Sequence, residues 1–313
     1  MRRVRFLSRR IALAVLTLWG VVTLMFFMFQ ALPGNAALSM FGVRTSGAEI
    51  AEINHKYGLD RPIWSQYFSY LDRTVHGNLG TSIIYSRPAS QVIGSALPTT
   101  LELALYAVVM TTALTLLLAI AAAMRRDTVI DYVIRTVPVV GLGLPTFWTG
   151  TMLLLVFALK LRLFPAGGLE PGFTGHLESL FLPALSLTVL FIAVLVRSLR
   201  ASLLEVLDSD HVLTARAKGI VGVRLVFSHV LPSAVIPTAT LLGLIFAGLL
   251  GGALIVETVF ALPGVGSLLV EGFRDHDFSL VQGITLIAAA AIVAMNILID
   301  LLYSILDPRV GLL

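Results

Sequence analysis

Six apolar runs dominate this chain, at about 11–32, 99–124, 133–159, 180–203, 233–258 and 280–306. Each is long enough to cross a hydrocarbon layer of roughly 30 Å as a helix. Inside lipid every backbone group must be satisfied within its own segment, so runs of this kind leave little choice but helices. Hydrophobic residues make up 57% of the sequence and charged ones only 13%, a balance outside the range of soluble domains. The expected fold class is all-α: a polytopic membrane protein with six transmembrane helices.

Charge placement sets the expected orientation. Arg2, Arg3, Arg5, Arg9 and Arg10 precede the first run, and Arg125 and Arg126 follow the second. Arg197, Arg200, Arg216, Lys218 and Arg224 surround the loop between the fourth and fifth runs, and Arg309 follows the sixth. Positive charge gathers in cytosolic loops, so both termini are expected in the cytosol and residues 33–98 outside. The first run is too long for a cleaved signal and reads as a signal anchor. The basic residues thus report topology, and no basic patch interleaved with aromatics points to nucleic acid. The absence of cysteine excludes structural disulfides and thiolate metal sites.

Two parts are expected. Residues 1–98 form an anchor helix plus an extracytoplasmic helical cap, and residues 99–313 a five-helix core with a cytosolic loop at about 204–232. In the cap, Ser46 with Glu49 makes a capping box, Ile50, Ile53 and Tyr57 form an apolar stripe, and Gly58 closes the helix. Pro62 then opens a second helix with Trp64, Tyr67, Phe68 and Leu71 on one face.

The loop from Ser209 to Pro232 reads SDHVLTARAKGIVGVRLVFSHVLP. Asp210 is expected to cap a short helix that carries Arg216 and Lys218 in its last turn and stops at Gly219. Val223, Val226, Phe227, Val230 and Leu231 have the spacing of a second amphipathic helix, expected to end at Pro232. Two short helices hinged at a glycine and presenting basic residues make a docking surface for a soluble partner.

This loop resembles that of binding-protein-dependent ABC importer permeases, whose pattern runs E-A-A…G…I-x-L-P. Thr214 and Ala215 take the small-residue positions, Gly219 the glycine, and Leu231 with Pro232 the closing pair, while Leu213 and His229 depart from the pattern. TARAKG is similar to the form in the dipeptide/oligopeptide/nickel permease family. LPGNAA (Leu32 to Ala37), YGLDRPIWSQYFSYL (Tyr57 to Leu71), GNLGTS (Gly77 to Ser82), RPASQVI (Arg87 to Ile93), LPTTLEL (Leu97 to Leu103), VETVFALPGVG (Val256 to Gly266) and LDPR (Leu306 to Arg309) extend the resemblance along the whole chain. Asn35 and Asn78 stand where that family usually has aspartate.

The resemblance implies a type I ABC importer permease fold working by alternating access, in the cytoplasmic or inner membrane of a bacterium or archaeon. It implies a second homologous permease, two cytosolic ATPase subunits that bind ATP and magnesium, and an extracytoplasmic solute-binding protein as partners. Peptides are the implied cargo, with nickel or another small solute as the alternative. Asp210, Thr214, Ala215, Arg216, Lys218, Gly219, Leu231 and Pro232 are the residues expected to couple to the ATPase.

The chain's only lysines, Lys56, Lys160 and Lys218, follow His55, Leu159 and Ala217. None stands after the glycine of a phosphate-binding loop, so any ATP-driven function needs a partner's ATPase, and no cofactor is expected in this chain. No catalytic residue and no metal site is expected either. Asp275, His276 and Asp277 are the one local set with metal-ligand chemistry, but adjacent residues converge poorly on one ion.

For a translocation path the candidates are Glu102, Pro145, Gly248, Gly252, Glu257 and Asp300. Glu102 and Glu257 lie near outer span ends, where they either contact substrate or gate, or are simply solvated at the interface. Pro145 is among the residues that break up the third run, and Gly248 with Gly252 is a GxxxG pair in the fifth. Asp300 lies deeper, one turn from Asn296, with an arginine such as Arg197 as a possible partner. Arg135, Arg197 and Arg200 are expected to snorkel at the cytosolic ends. An ion-coupled secondary transporter would call for internal repeats and midplane ionisable residues. An intramembrane enzyme would call for a paired nucleophile and base. The first pair of features is nearly absent and the second pattern is missing.

Overall fold

The computed structural model describes residues 2–31 and 60–306. The expected capping box and stripe between Ser46 and Gly58 lie outside the described residues. Packing divides the chain into two compact units, Met1–Thr99 with Gly264–Ala294 and Thr100–Pro263 with Met295–Leu313. The first unit therefore groups a late segment with the N-terminal one.

In the first unit the described helices begin with α1 (Arg2–Gln30) and α2 (Ile63–Val75), the latter opened by Pro62. The hydroxyls of Thr23 and Tyr67 share a 2.7 Å hydrogen bond, and the Phe26 ring meets Tyr67 edge-on at 5.3 Å. Tyr67 is the ring that α2 buries, whereas Trp64 and Phe68 of the expected stripe are exposed. A short antiparallel hairpin, β1 (Thr81–Ser82) with β2 (Arg87–Pro88), leads into α3 (Ala89–Met124). The start of α3, α10 (Val265–Arg274) and the start of α11 (Phe278–Leu306) bury Val92, Ile93, Ala96, Val265, Leu280 and Ile284 together.

Asp277 ties this unit. Its Oδ1 accepts from the Leu280 amide at 3.0 Å, an N-cap for α11. Its Oδ2 accepts from the Ser82 hydroxyl at 2.5 Å and from the Ile83 and Ile84 amides at 2.8 and 3.3 Å. The carboxylate considered for metal binding is thus engaged with the hairpin, and the described residues hold no cluster of three or more metal-binding side chains.

The second unit contains the rest of α3, α4 (Val129–Leu142), α5 (Thr146–Leu153), α6 (Phe173–Leu207), α7 (Asp210–Ala217), α8 (Gly222–Leu225) and α9 (Leu231–Val259). The helix α6 is its most enclosed, burying Leu182, Leu187, Leu195 and Leu199 among others. At Gly141 a Cβ would lie 2.7 Å from Val189, so the lack of a side chain lets α4 reach α6.

Five helices among the described residues are long and apolar enough to span a membrane, and a bent pair makes a sixth if read as one span. That pair corrects the expectation of a single third helix over 133–159. Val129–Leu142 and Thr146–Lys160 meet at 109°. Pro145 has extended backbone (φ −59°, ψ 139°) and lacks an amide, so the helix stops before it and restarts in a new direction. The second half widens into π-type turns at Leu154–Lys160.

The second loop helix also needs correction. From Gly222 the chain is helical through a π-type turn at Val226–Val230 directly into α9, so Pro232 lies inside a helix rather than ending one. Proline has no amide to donate and its ring crowds the carbonyl four residues back. The widened turn, in which the Leu231 amide bonds the Val226 carbonyl, is where the ladder absorbs that demand.

Candidate coupling surface and translocation path

The helix α7 is built to show one face and bury the other. Ser209, not Asp210, occupies its N-cap position; Asp210 is the first helical residue and is exposed. An acidic residue there still suits the positive end of the helix, as Arg216 suits the negative end. Gly219 follows the helix with φ +84°, and a Cβ there would meet nothing within 4 Å, so glycine is required by the backbone and not by space.

Val212 and Ala215 are buried in a core with Leu199, Leu203, Leu225 and Val230. Ala215 therefore serves close packing rather than presentation. Thr214 is exposed, its hydroxyl turned back to the Asp210 carbonyl at 2.9 Å. Arg216, Ala217, Lys218 and Arg224 are exposed beside four uncovered apolar side chains, Leu213, Val221, Val223 and Phe227. Of the residues expected to anchor the second helix, Val226 and Val230 are buried and do so, with Leu225 beside them, whereas Val223 and Phe227 are exposed. Leu231 is half-buried and Pro232 exposed. The surface combines cationic and apolar groups on a short, well-seated helix, a combination suited to a protein partner with a complementary acidic patch.

The path candidates are dispersed within the second unit. Glu257 is wholly buried and accepts from the Thr100 hydroxyl at 2.7 Å, which corrects the reading of a carboxylate solvated at the interface. Glu102 is partly exposed and accepts at 2.7 Å from the His176 ring nitrogen, if that nitrogen carries the proton. Pro145 stands at the 109° bend. Gly248 is exposed, and a Cβ there would meet nothing within 4 Å among the described residues. Gly252 and Asp300 lie in α9 and α11, but their surroundings fall outside the described side chains.

Three relationships were missed in the sequence. Phe260 is buried among Leu103, Leu182 and Leu187, and its carbonyl accepts from the Gly168 amide at 2.9 Å. A Cβ at Gly167 would lie 2.9 Å from that same carbonyl oxygen. Asp131, fully buried, receives two 2.7 Å hydrogen bonds from Arg200, so Arg200 is a paired interior cation and not a snorkelling one. Arg135 approaches the same carboxylate at 3.5 Å and stacks over Tyr132. The Asp277 ties are the third.

A bent span among long apolar helices, with a short helix seated between α6 and α9 in the chain, makes this a polytopic helical membrane protein. A crystal structure of an amino acid ABC transporter shares this fold, with a TM-score of 0.52 at 18% identity over 68% of this chain and 93% of that one. The chain belongs to the binding-protein-dependent transport system inner membrane component family, which matches residues 115–312; the N-terminal model of the same kind of component matches residues 3–104. The dipeptide transport system permease protein DppB of Lactococcus lactis is 34% identical over 99% of this chain and 100% of its own length. The oligopeptide transport system permease protein AppB of Bacillus subtilis is 34% identical over 97% of this chain and 98% of its own.

Proposed function

We propose that this chain is the membrane-spanning permease subunit of an ATP-driven importer that carries di- or oligopeptides through the cytoplasmic membrane. Its termini and α7 face the cytosol, as the arginine distribution suggests. It pairs with a second, similar permease; two ATPase subunits dock beneath the pair, and an extracytoplasmic receptor delivers the peptide. ATP binding closes the ATPases, which draw on α7 and open the path outward; hydrolysis returns it inward. Binding energy to the closed ATPase state is what shifts the permease between its two forms.

The observation that carries this reading is the two-faced α7, with Val212 and Ala215 in the core and Arg216, Lys218 and the Leu213 side chain outside. Peptide cargo rests on the names of the full-length relatives, DppB and AppB. The test is reconstitution in vesicles. The chain alone should hydrolyse no ATP, and the assembled complex should hydrolyse it faster when the receptor is loaded with peptide. Uptake driven by a proton gradient without ATP would overturn the proposal.

A further inference from the structure

The pair of Asp131 and Arg200 joins two helices that the proposed transport cycle has to move together. Asp131 lies in the first turn of α4 and is 0% exposed. Arg200 lies on α6; its Nε donates to Oδ1 and its Nη2 to Oδ2, both at 2.7 Å. The Asp127 amide adds a 3.1 Å bond to Oδ2, from a backbone held at φ +60°. Arg135, one turn further along α4, brings a second guanidinium to 3.5 Å from the same carboxylate. A bidentate guanidinium–carboxylate pair fixes both distance and orientation, so it acts as a rigid bracket rather than a loose attraction.

What the bracket connects gives it meaning. From Arg200, α6 continues as unbroken helix to Leu207 and reaches α7 at Asp210. Leu199 and Leu203, flanking Arg200, share one core with Val212 and Ala215 of α7, and Ile134 of α4 packs against it. From Asp131, α4 runs to Leu142 and the 109° bend, beyond which α5 sets Gly150 against Phe260. Contacts therefore run without a break from α7 through α6, Arg200 and Asp131 to the bent span.

We infer that the Asp131–Arg200 pair is the mechanical link between α7 and the bent span, which makes both of them positioning residues for transport. This rests on the reading of the chain as an ATPase-driven permease. The link neither binds substrate nor touches the ATPase; it converts movement of the docking helix into movement of the path.

The chain has no cysteine, so the link can be cut and rebuilt chemically. Asp131→Cys with Arg200→Cys removes it and vacates the space of both side chains, into which a short bis-methanethiosulfonate reagent fits to restore a covalent link; only complexes whose intact mass shows the bridge are scored as cross-linked. The full complex in vesicles is assayed with whichever peptide most stimulates the parent's hydrolysis, and ATP consumed per peptide imported is counted. The unlinked variant is expected to assemble and hydrolyse ATP, but to consume about tenfold more per peptide, the scale of coupling carried by packed networks. Cross-linking should return the ratio to the parent's value. Arg200→Lys, which keeps the charge and loses the fork, should fall between. A parent ratio in the unlinked variant, or persistent uncoupling after cross-linking, overturns the inference. So does failure of both the double variant and Arg200→Lys to assemble, which would mark the pair as merely structural. A parent complex without receptor-stimulated hydrolysis would sink the importer reading itself.

Discussion

Ser82 and Asp277 stand 195 positions apart in sequence and share a 2.5 Å hydrogen bond in a buried site. The same Asp277 carboxylate holds the Ile83 and Leu280 amides, so one side chain orders a hairpin and starts a helix. Asp277→Ala leaves those buried donors without a partner, at a cost on the order of 3 kcal/mol or more. Asp277→Asn keeps an acceptor oxygen and should lose roughly half as much. Thermal unfolding in detergent gives the order parent, Asn, Ala. Equal midpoints for Ala and parent would show that the clasp contributes nothing.

The loop that passes Phe260 depends on a missing side chain. At Gly167 a Cβ would come within 2.9 Å of the Phe260 carbonyl oxygen, a backbone atom that cannot swing aside. Gly167→Ala should therefore cost about 1–3 kcal/mol through overpacking and loosen the neighbouring Gly168 bond. Gly248→Ala, inside α9 where a Cβ meets nothing within 4 Å, should keep or raise the stability of the isolated chain. Parallel melting curves decide it, and equal losses at both sites would contradict the close-approach account.

Tyr85 offers a pH test. Its hydroxyl donates to Glu271 at 2.9 Å, and its pKa is pushed up to about 12 by burial first, then by that bond and the nearby charges of Glu271, Asp275 and Asp277. The folded value lies above the usual 10, so the protonated form is the one the fold favours. Its stabilising contribution is complete below pH 10 and lost as the pH rises through about 12. The stability gap between the parent and Tyr85→Phe should shrink over that window. A gap that stays constant from pH 9 to about 12 would mean that neither burial nor the Glu271 contact raises the folded pKa of this hydroxyl.

Much of this architecture was legible because lipid imposes it. Long apolar runs have few alternatives, and Gly219 announced a positive φ by its place behind a short helix. What stayed hidden was long-range or compensatory. Asp131 and Arg200 are 69 positions apart, and Asp131 with Arg135 one turn later looks like an ordinary helix-surface pair. Pro232 reads as a stop because the widened turn that accommodates it leaves no mark in the sequence. Ala215 reads as a coupling residue from the resemblance alone, because a short helix offers too few residues to decide which face is apolar. Val212, one turn earlier, is its companion in the core. Pro145 was noticed as a breaker, yet nothing local told that the break turns the chain by 109°.

Gly219 tests the docking helix through its backbone. With φ +84° and open space around a Cβ, Gly219→Val suffers only conformational strain, roughly 1–2 kcal/mol. Asn tolerates this region better, so Gly219→Asn should retain more ATPase binding than Gly219→Val at equal membrane levels. Co-purification of the ATPase reads the difference. Full binding by the valine variant would show that the turn does not orient α7.

The most direct measurement of the docking claim is site-specific cross-linking from α7 in a chain that has no cysteine of its own. Single cysteines replace Leu213, Ala217 and Ala215, the first two exposed and the last buried. Cysteines at 213 and 217 are predicted to cross-link to the ATPase subunit in assembled complexes, while the one at 215 stays unreactive. Cross-links formed only by control cysteines placed one at a time along 125–131, or reaction at 215 without 213 and 217, would contradict the account.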